Sequence, residues 1–404
     1  MRRLLLPAGL AVLALAAAGL AQPSDEGFEA ETVVDDLGAP VDLAIAPAGD
    51  LWWNAIGESH VVRHDPDTGE QEIVLETEAI HTHAERGLVG LALDPDVADN
   101  GMFYVFYTLE DPNDPEGGTN VLERVEDGER TRLLTLPAHV NHNGGRIVFD
   151  DEGRLFVSTG DNQDPVRAQR PEDPLGSILH MHPNGTPTDE TIANYSYSVG
   201  HRNVFGLAYD EANDRLFATE NSNEERDEVN LIEAGHNYGW PECQGHHRYD
   251  AANYTALEAS CTDPSYTDPI GVFYDNDTSA PTGAAVLEGD LYWGSFNEGT
   301  IHRLTQDPET GDWNDNVVYD GEASVFDVEA HGGSIYYAER GAIGRLDPPD
   351  PASPGGLVSE VPTPGALAAL AFTLSALGLT TAKRSAGRRW RQQKKGGPGP
   401  KGPA

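Results

Sequence analysis

Short runs of alternating apolar and polar residues recur along most of the chain, joined in pairs by tight turns. A period of two residues is typical of a β-strand with one buried face. The turns are rich in Gly, Asp and Asn, which favour tight turns through their own backbone and side-chain conformations. This strand–turn–strand pattern occurs six times, in residues 42–56, 90–108, 145–161, 206–221, 283–297 and 327–340. The body of the chain contains no notable helix-period segment, so the pattern predicts an all-β fold.

The spacing of these units predicts how the strands are organised. The units follow one another at intervals of roughly 50 residues, and repeats of that length with four strands each are typical of β-propellers. We therefore predict one domain, residues 22–346, folded as a six-bladed β-propeller. The longer intervals hold insertions at residues 164–197 and 241–282. Long loops on a rigid scaffold are common places for functional sites.

The two ends of the chain differ from this body. Residues 1–21 combine Arg2 and Arg3, an apolar run and a small-residue ending, which predicts a signal peptide. Residues 347–364 are a linker rich in Pro and Gly, residues 365–381 form an uncharged apolar segment, and residues 382–404 are a basic tail. Basic residues after an apolar segment favour a cytoplasmic tail. The segment is predicted either to anchor the protein or to be removed as a sorting signal; in both cases the body lies outside the cytoplasm.

The body is strongly acidic. All 67 Asp and Glu residues lie in the body and the linker, between residues 22 and 360, whereas ten of the 26 basic residues lie in the two terminal segments, and the basic residues that remain are all arginine. Such a surface repels phosphate backbones and excludes nucleic acid as a partner. It suits a salty environment, where counterions screen the repulsion between carboxylates.

Two cysteines, Cys243 and Cys261, are the only ones in the sequence. In an exported protein such a pair favours a disulfide. Two cysteines alone are too few for a thiolate zinc site of the usual kind.

The third repeat carries the clearest candidate chemistry. His142 and two glycines precede its first strand, and Asp161 follows its second strand. A histidine and a carboxylate at neighbouring strand ends can act as a general base and the group that orients it. The alternative is that both are ordinary turn residues.

Two further motifs contain polar residues of functional types. Arg202 and Asn203 precede the fourth repeat, where a guanidinium can bind a carboxylate-bearing ligand; the alternative is an arginine paired with a surface acid. The loop at residues 221–230 is rich in oxygen-bearing side chains, which suit Ca²⁺.

Together these motifs resemble the glucose/sorbosone dehydrogenase family, the soluble quinoprotein sugar dehydrogenases. The resemblance covers roughly residues 33–346 and depends on residues 85–95, 142–146, 158–161, 200–203, 227–231 and 237–241. It implies a six-bladed propeller that uses pyrroloquinoline quinone (PQQ) and Ca²⁺. It also implies oxidation of a small aldose sugar at the anomeric carbon to its lactone, with electrons passed to an acceptor that the sequence does not identify.

The resemblance also assigns roles to individual residues. His142 matches the general base, and Asp161 matches the carboxylate that orients it. Arg202 and Asn203 match contacts to the quinone. The metal positions are matched by Ser222 and Asn223, through backbone carbonyls, and by Glu228 and Tyr238 at a second Ca²⁺ site.

The sequence departs from the family at two cationic positions. Residues 295–299 lack the lysine of the family, and residues 323–327 lack its Arg-x-Arg motif. Because the quinone is a tricarboxylate, these losses leave an alternative open, a diverged propeller that binds a glycan or a protein without catalysis. A Ca²⁺-dependent lactonase on a similar propeller is a third hypothesis. The paired His142 and Asp161 favour the enzyme.

Overall fold

The computed structural model describes residues 22–23, 27–55, 57–77, 80–114, 117–222, 226–250, 255–273 and 279–349. Within these ranges the chain is almost entirely β-structure, with one short helix, α1 (Val97–Asn100), and one 3-10 turn, Pro165–Gln169. The prediction of an all-β protein is confirmed. The predicted signal peptide, apolar segment and basic tail lie outside the described residues. No helix in the described ranges is long and apolar enough to cross a membrane.

The strands of the described residues are numbered in chain order. The first half contains β1 (Gln22–Pro23), β2 (Glu29–Val34), β3 (Pro40–Ile45), β4 (Leu51–Ala55), β5 (His60–His64), β6 (Gln71–Glu76), β7 (Leu88–Leu93), β8 (Phe103–Leu109), β9 (Thr119–Glu126), β10 (Glu129–Pro137), β11 (Gly144–Phe149), β12 (Leu155–Thr159), β13 (Ser177–Met181) and β14 (Ser196–Val199). The second half contains β15 (Val204–Asp210), β16 (Arg215–Glu220), β17 (Asp227–Ile232), β18 (Cys243–Gln244), β19 (His247–Asp250), β20 (Thr255–Ser260), β21 (Gly271–Phe273), β22 (Pro281–Leu287), β23 (Asp290–Ser295), β24 (Thr300–Gln306), β25 (Trp313–Asp320), β26 (Val325–His331), β27 (Ser334–Glu339) and β28 (Ala342–Asp347).

Most of these strands belong to antiparallel sheets of four strands. In the described residues the sheet orders are β3-β4-β5-β6, β7-β8-β9-β10, β11-β12-β13-β14, β15-β16-β17-β21, β22-β23-β24-β25 with β1 added at its edge, and β26-β27-β28-β2. In the last sheet β2, from the beginning of the body, pairs with β28 at its end. Two distant parts of the chain therefore complete one sheet. Each of the six predicted strand–turn–strand units is an antiparallel hairpin in the structure.

The first strands of these hairpins contact one another in a closed cycle. β3 contacts β7, and the cycle continues through β11, β15, β22 and β26 back to β3. Their backbones approach closely: a Cβ atom on Gly90 of β7 would lie 2.0 Å from the carbonyl oxygen of Gly145 on β11. Real Cβ contacts never reach that distance, so the approach requires glycine.

The hydrophobic core is divided into layers between neighbouring sheets. Six clusters of buried side chains each draw their members from two sheets that are adjacent in the cycle. Because a strand in such a stack buries both faces, the first strands are buried almost throughout, whereas β10 is mostly exposed. The site therefore rests on a scaffold in which every sheet is supported on both sides.

Arg146 of β11 ties several of the first strands together. Its guanidinium donates hydrogen bonds to backbone carbonyls on three of them, those of Val41, Phe205 and Phe326, at 2.7, 2.8 and 3.0 Å. The side chain is almost fully buried. Each bond satisfies a carbonyl that would otherwise be buried without a partner, at a typical cost of about 1–3 kcal/mol per group.

Three carboxylates surround this single cation. One oxygen of Asp42 lies 2.6 Å from Nη1 of Arg146, and one oxygen of Asp327 lies 3.7 Å from it. Asp42 also accepts a hydrogen bond from the backbone N–H of Leu91, and Asp327 accepts one from the backbone N–H of Leu43. Glu329 belongs to the same group. Burial raises the pKa of Asp42 and that of Glu329 well above their ordinary ranges, and Asp327 raises both further while Arg146 opposes the shift.

One element of the structure lies outside the six large sheets. The strands β18, β19 and β20 form a small separate sheet within the predicted insertion after residue 240. Cys243 and Cys261 are joined by a disulfide that closes this element, with Cα atoms 5.8 Å apart. The predicted disulfide is therefore present.

Loss of the disulfide should destabilise this insertion. For cysteines 18 residues apart, the chain-entropy estimate predicts a loss of about 3 kcal/mol when both are replaced by serine. Urea unfolding of the double variant, beside reduced wild-type protein as a control, measures this loss. Detection of two free thiols in the unreduced protein by mass spectrometry would contradict the pairing.

The carboxylates around Arg146 should make stability fall as the pH rises. A carboxyl group whose pKa is raised by folding favours the folded state while it is protonated, and this contribution is lost above the unfolded value of about 4.3. We expect Glu329→Gln to match wild type near pH 4 and to exceed it in stability increasingly up to pH 8. The urea midpoint measured across this range tests the expectation. Glu72→Gln, an exposed change on β6, is the control. An equal pH dependence of stability in both variants would contradict the expectation for Glu329.

Candidate active site

His142 lies in the loop between β10 and β11, in a conformation fixed by its surroundings. Its φ of +61° is in the left-handed region, which is uncommon for residues with side chains. Its backbone N–H donates to Oε2 of Glu85 at 2.6 Å. A Cβ atom at Gly160 would lie 2.1 Å from the carbonyl oxygen of His142. The loop and the strand end that carries Asp161 therefore meet only because residue 160 is glycine.

The structure joins His142 to Asp161, as the sequence predicts. Nδ1 of His142 lies 2.6 Å from Oδ1 of Asp161, whose side chain is fully buried. A carboxylate only accepts, so Nδ1 carries the proton and Nε2 holds the lone pair. Oδ1 also accepts the backbone N–H of Gln163 at 2.8 Å, and Oδ2 accepts the indole N–H of Trp240 at 2.8 Å. The arrangement is that of a general base with an orienting carboxylate.

Arg202 and Asn203 lie beside this pair. The backbone N–H of Asp161 donates to the carbonyl of Arg202 at 2.9 Å. Asn203 donates from Nδ2 to Oε2 of Glu85 at 3.1 Å, the same oxygen that accepts the N–H of His142. Glu85 thus connects the His142 loop to the Arg202 loop.

The guanidinium of Arg202 has no carboxylate partner within ion-pair distance in the described part of the chain. Nη1 donates to the carbonyl of Asn221 at 2.8 Å, and the guanidinium carbon lies 5.6 Å from the centre of the Trp240 ring. Burial lowers the pKa of Arg202, and the nearby charges of Asp161 and Glu85 oppose this effect. A partly buried cation without a carboxylate in ion-pair contact can accept an anionic ligand as its counter-ion.

Three of the four predicted metal residues lie around a small pocket next to Arg202. Ser222, Glu228 and Tyr238 line this space of about 10 Å³, together with Arg202 and Glu220. Burial, with a contribution from Glu220, raises the pKa of Glu228 to about 8. The fourth residue, Asn223, lies outside the described residues.

The contacts of these residues are protein contacts in this structure. The hydroxyl of Tyr238 donates to the carbonyl of Leu231 at 2.6 Å, and the backbone N–H of Ser222 donates to Asp227 at 2.8 Å. Among the described residues, no group of three or more His, Cys, Asp or Glu side chains is placed to hold a metal ion. Ca²⁺ binding therefore stays a prediction.

A larger cavity of about 260 Å³ opens between the six first strands. It is lined by residues of all six large sheets or of the loops that lead into them, including Glu85 and Asn221 of the site. Most of the lining is apolar and partly aromatic: Val41, Val89, Phe205, Phe296 and Phe326. Apolar walls with a few polar groups are typical of small-molecule sites.

The two sequence segments without the expected cations both contribute to this cavity. They supply Phe296 and Phe326 to its wall. The guanidinium carbon of Arg340 lies 5.6 Å from the centre of the Phe326 ring. Arg340 is exposed and has no ion-pair partner within the described ranges, and Phe326 connects it to this side of the cavity.

Three residues of the site have no role assigned by the sequence. Glu85 and Trp240 lie in motifs of the family resemblance, which could have indicated that they matter but not what they contact. Arg340 ends a repeat and carries no motif signal. Only the folded chain shows that these residues meet His142, Asp161 and the cavity.

Other histidines form hydroxyl–imidazole–carboxylate chains that have no access to substrate. Ser198, His201 and Glu220 make one such chain, with distances of 2.9 and 3.0 Å. Ser198 and His201 are fully buried. A nucleophile needs contact with its substrate, so this chain is structural and does not support hydrolase chemistry.

Comparisons with known proteins agree with this geometry. A family model described as "Glucose / Sorbosone dehydrogenase" matches residues 37–346. The quinoprotein glucose dehydrogenase B of Acinetobacter calcoaceticus is 23% identical over 455 residues, which cover 88% of this chain and 93% of that protein. The aldose sugar dehydrogenase YliI of Escherichia coli is 30% identical over 230 residues, which cover 53% of this chain and 61% of that protein.

A solved structure is similar over the same region. It is the PQQ-bound form of an aldose sugar dehydrogenase from Streptomyces coelicolor, with a TM-score of 0.68 and 27% sequence identity. The match covers 80% of this chain and 99% of that one. The family model spans well over half of the sequence, from the first large sheet to the last. The chain therefore belongs to the glucose/sorbosone dehydrogenase family.

Proposed function

We propose that this protein is an exported, PQQ- and Ca²⁺-dependent dehydrogenase that oxidises an aldose sugar at the anomeric carbon to its lactone. The observation that carries the proposal is the bond between His142 and the buried Asp161. Support also comes from the PQQ-bound relative and from the family match. The closed cycle of six first strands supports the six-bladed propeller. The disulfide supports a location outside the cytoplasm.

The residues around the cavity fit a planar anionic cofactor. Aromatic and aliphatic side chains provide flat apolar walls, and the unpaired guanidinium of Arg202 can bind a carboxylate. Arg340 offers a second positive charge on the side where the family's cations are missing. We infer that Arg202 and Asn203 hold the quinone, with Arg340 as a replacement cation, and that Ser222, Asn223, Glu228 and Tyr238 lie at the Ca²⁺ sites.

In this proposal His142 is the residue that accepts the proton. When bound, the quinone supplies the acceptor for the hydride that leaves the anomeric carbon. Nε2 of His142 takes the proton of the anomeric hydroxyl, because Nδ1 is occupied by its bond to Asp161. Asp161 holds the imidazole in the reactive tautomer and stabilises the imidazolium that forms, without taking the proton itself. Glu85 fixes the backbone of His142 and thus the position of the ring.

Quinone binding is the direct test of the cofactor. Purified protein titrated with PQQ and Ca²⁺ in high salt should show the spectrum of a bound quinone. Arg202→Gln should weaken binding by about 10–100-fold, the value of one charge-assisted hydrogen bond. Arg63→Gln removes an equal charge from an exposed pair with Asp50 and should bind as wild type does. Wild-type protein that binds no quinone would overturn the proposal and favour the non-catalytic glycan- or protein-binding alternative.

Removal of the base should abolish most of the activity. His142→Ala should lower the rate of sugar-dependent dye reduction by ~10²–10⁴, the usual contribution of a general base. Asp161→Asn should cost less, since the imidazole remains. Both variants should bind quinone as wild type does, which separates chemistry from cofactor loss. Full activity in His142→Ala would rule out this mechanism.

A further inference from the structure

The indole of Trp240 extends the His142–Asp161 pair by one member. Its N–H donates to Oδ2 of Asp161 at 2.8 Å, while His142 bonds to Oδ1 at 2.6 Å. Trp240 is almost fully buried, so this bond is shielded from water. We propose that Trp240 is a positioning residue for the catalytic base, acting through Asp161; this inference rests on the proposed function of His142.

Trp240 binds the oxygen of Asp161 that the other donors do not use. His142 and the backbone N–H of Gln163 both bind Oδ1. Rotation of the carboxylate about its Cβ–Cγ bond moves both oxygens, so a donor on Oδ2 resists this rotation from the opposite side. In the described part of the chain Trp240 is the donor that binds Oδ2, so it helps to fix the carboxylate plane. The direction of the imidazole, and with it that of Nε2, follows from that plane.

Trp240 is itself held from several sides. Its backbone N–H donates to the carbonyl of Gly200 at 3.0 Å, and its carbonyl accepts Nε2 of Gln169 at 2.6 Å. Its ring packs against Tyr249 at 4.8 Å between centroids and lies under the guanidinium of Arg202. An indole with this many contacts cannot follow a moving carboxylate. It acts as a fixed anchor.

A second Trp–Asp–His chain in another sheet provides an internal comparison. Trp293 donates to one oxygen of Asp315 at 3.2 Å, and the other oxygen lies 2.7 Å from Nδ1 of His302. There, Nε2 of His302 is paired with Thr300 at 3.0 Å. In the His142 chain no described residue bonds Nε2. The same arrangement thus serves structure in one sheet and leaves a nitrogen free for substrate in the other.

The test compares Trp240→Phe with Trp293→Phe, which breaks the same bond at the structural chain. The first measurement needs neither cofactor nor activity: the low-field proton resonance of Nδ1–H in His142, assigned by its loss in His142→Ala. We expect this resonance to shift and to exchange faster with water in Trp240→Phe. It should be unchanged in Trp293→Phe, where the resonance of His302 should respond instead.

The second measurement is steady-state kinetics of the quinone-loaded protein. Trp240→Phe should lower kcat by about tenfold, from loss of one hydrogen bond to a charged group and misdirection of the base. KM for the sugar should change by less than about twofold, because the substrate contacts stay. Trp293→Phe should leave both parameters unchanged.

If Trp240→Phe fails to fold, the benzothiophene analogue of tryptophan at position 240 replaces it in the test. This analogue keeps the ring shape but lacks the N–H. An unchanged His142 resonance and unchanged kcat in the analogue would overturn the proposal. An altered resonance in a protein without sugar oxidation would support the positioning contact and refute the dehydrogenase function. The two ideas can therefore fail separately.

Discussion

The buried guanidinium of Arg146 is the contact on which the centre of this molecule depends. It donates to carbonyls of three other first strands and pairs with Asp42 on β3 and with Asp327 on β26. These carboxylates in turn accept backbone N–H groups of β7 and β3. One cation thus connects five of the six first strands directly or through its counter-ions. Loss of Arg146 would leave buried carboxylates and carbonyls without a partner, which is far more costly than loss of an exposed pair.

The same strand carries the site. His142 lies two residues before β11 begins, and Arg146 is on that strand. The position of His142 relative to the cavity is therefore set by the contact that holds the first strands together. Gly160, Glu85 and Asp161 fix the loop from three directions. A side chain held by such a rigid element loses little freedom when a ligand binds, which is the benefit of preorganisation.

The features that the sequence predicts correctly are mostly local. The period-two runs located all six hairpins, because alternation and turn chemistry depend on neighbours in the chain. The Cys243–Cys261 bond and the approach of His142 to Asp161 also join residues of modest separation. Motif resemblance supplied the family and the candidate roles. The separate small sheet of the insertion had no comparable signal.

Long-range polar contacts could not be predicted in this way. Arg146 binds Phe326 across 180 positions, and Trp240 reaches Asp161 across 79. Nothing in the alternation near these residues indicates their partners, since a buried arginine and a buried tryptophan both fit a strand or loop pattern. Hydrogen-bond satisfaction selects such partners only once the fold has brought the groups together.

Charge gives the strongest link between composition and site. Acidic residues in the body far outnumber the arginines, and most of those arginines lie within 4.0 Å of a carboxylate. In such a protein an arginine without a carboxylate partner is unusual, because nearby acids are abundant. Arg202 is partly buried, and its guanidinium bonds a backbone carbonyl and lies over the face of Trp240 instead of pairing with an acid. It lines the small pocket with Ser222 and Glu228, whereas the exposed Arg340 lies over Phe326 of the larger cavity. A partly buried arginine that keeps its guanidinium free of carboxylates in so acidic a protein favours an anionic ligand beside it.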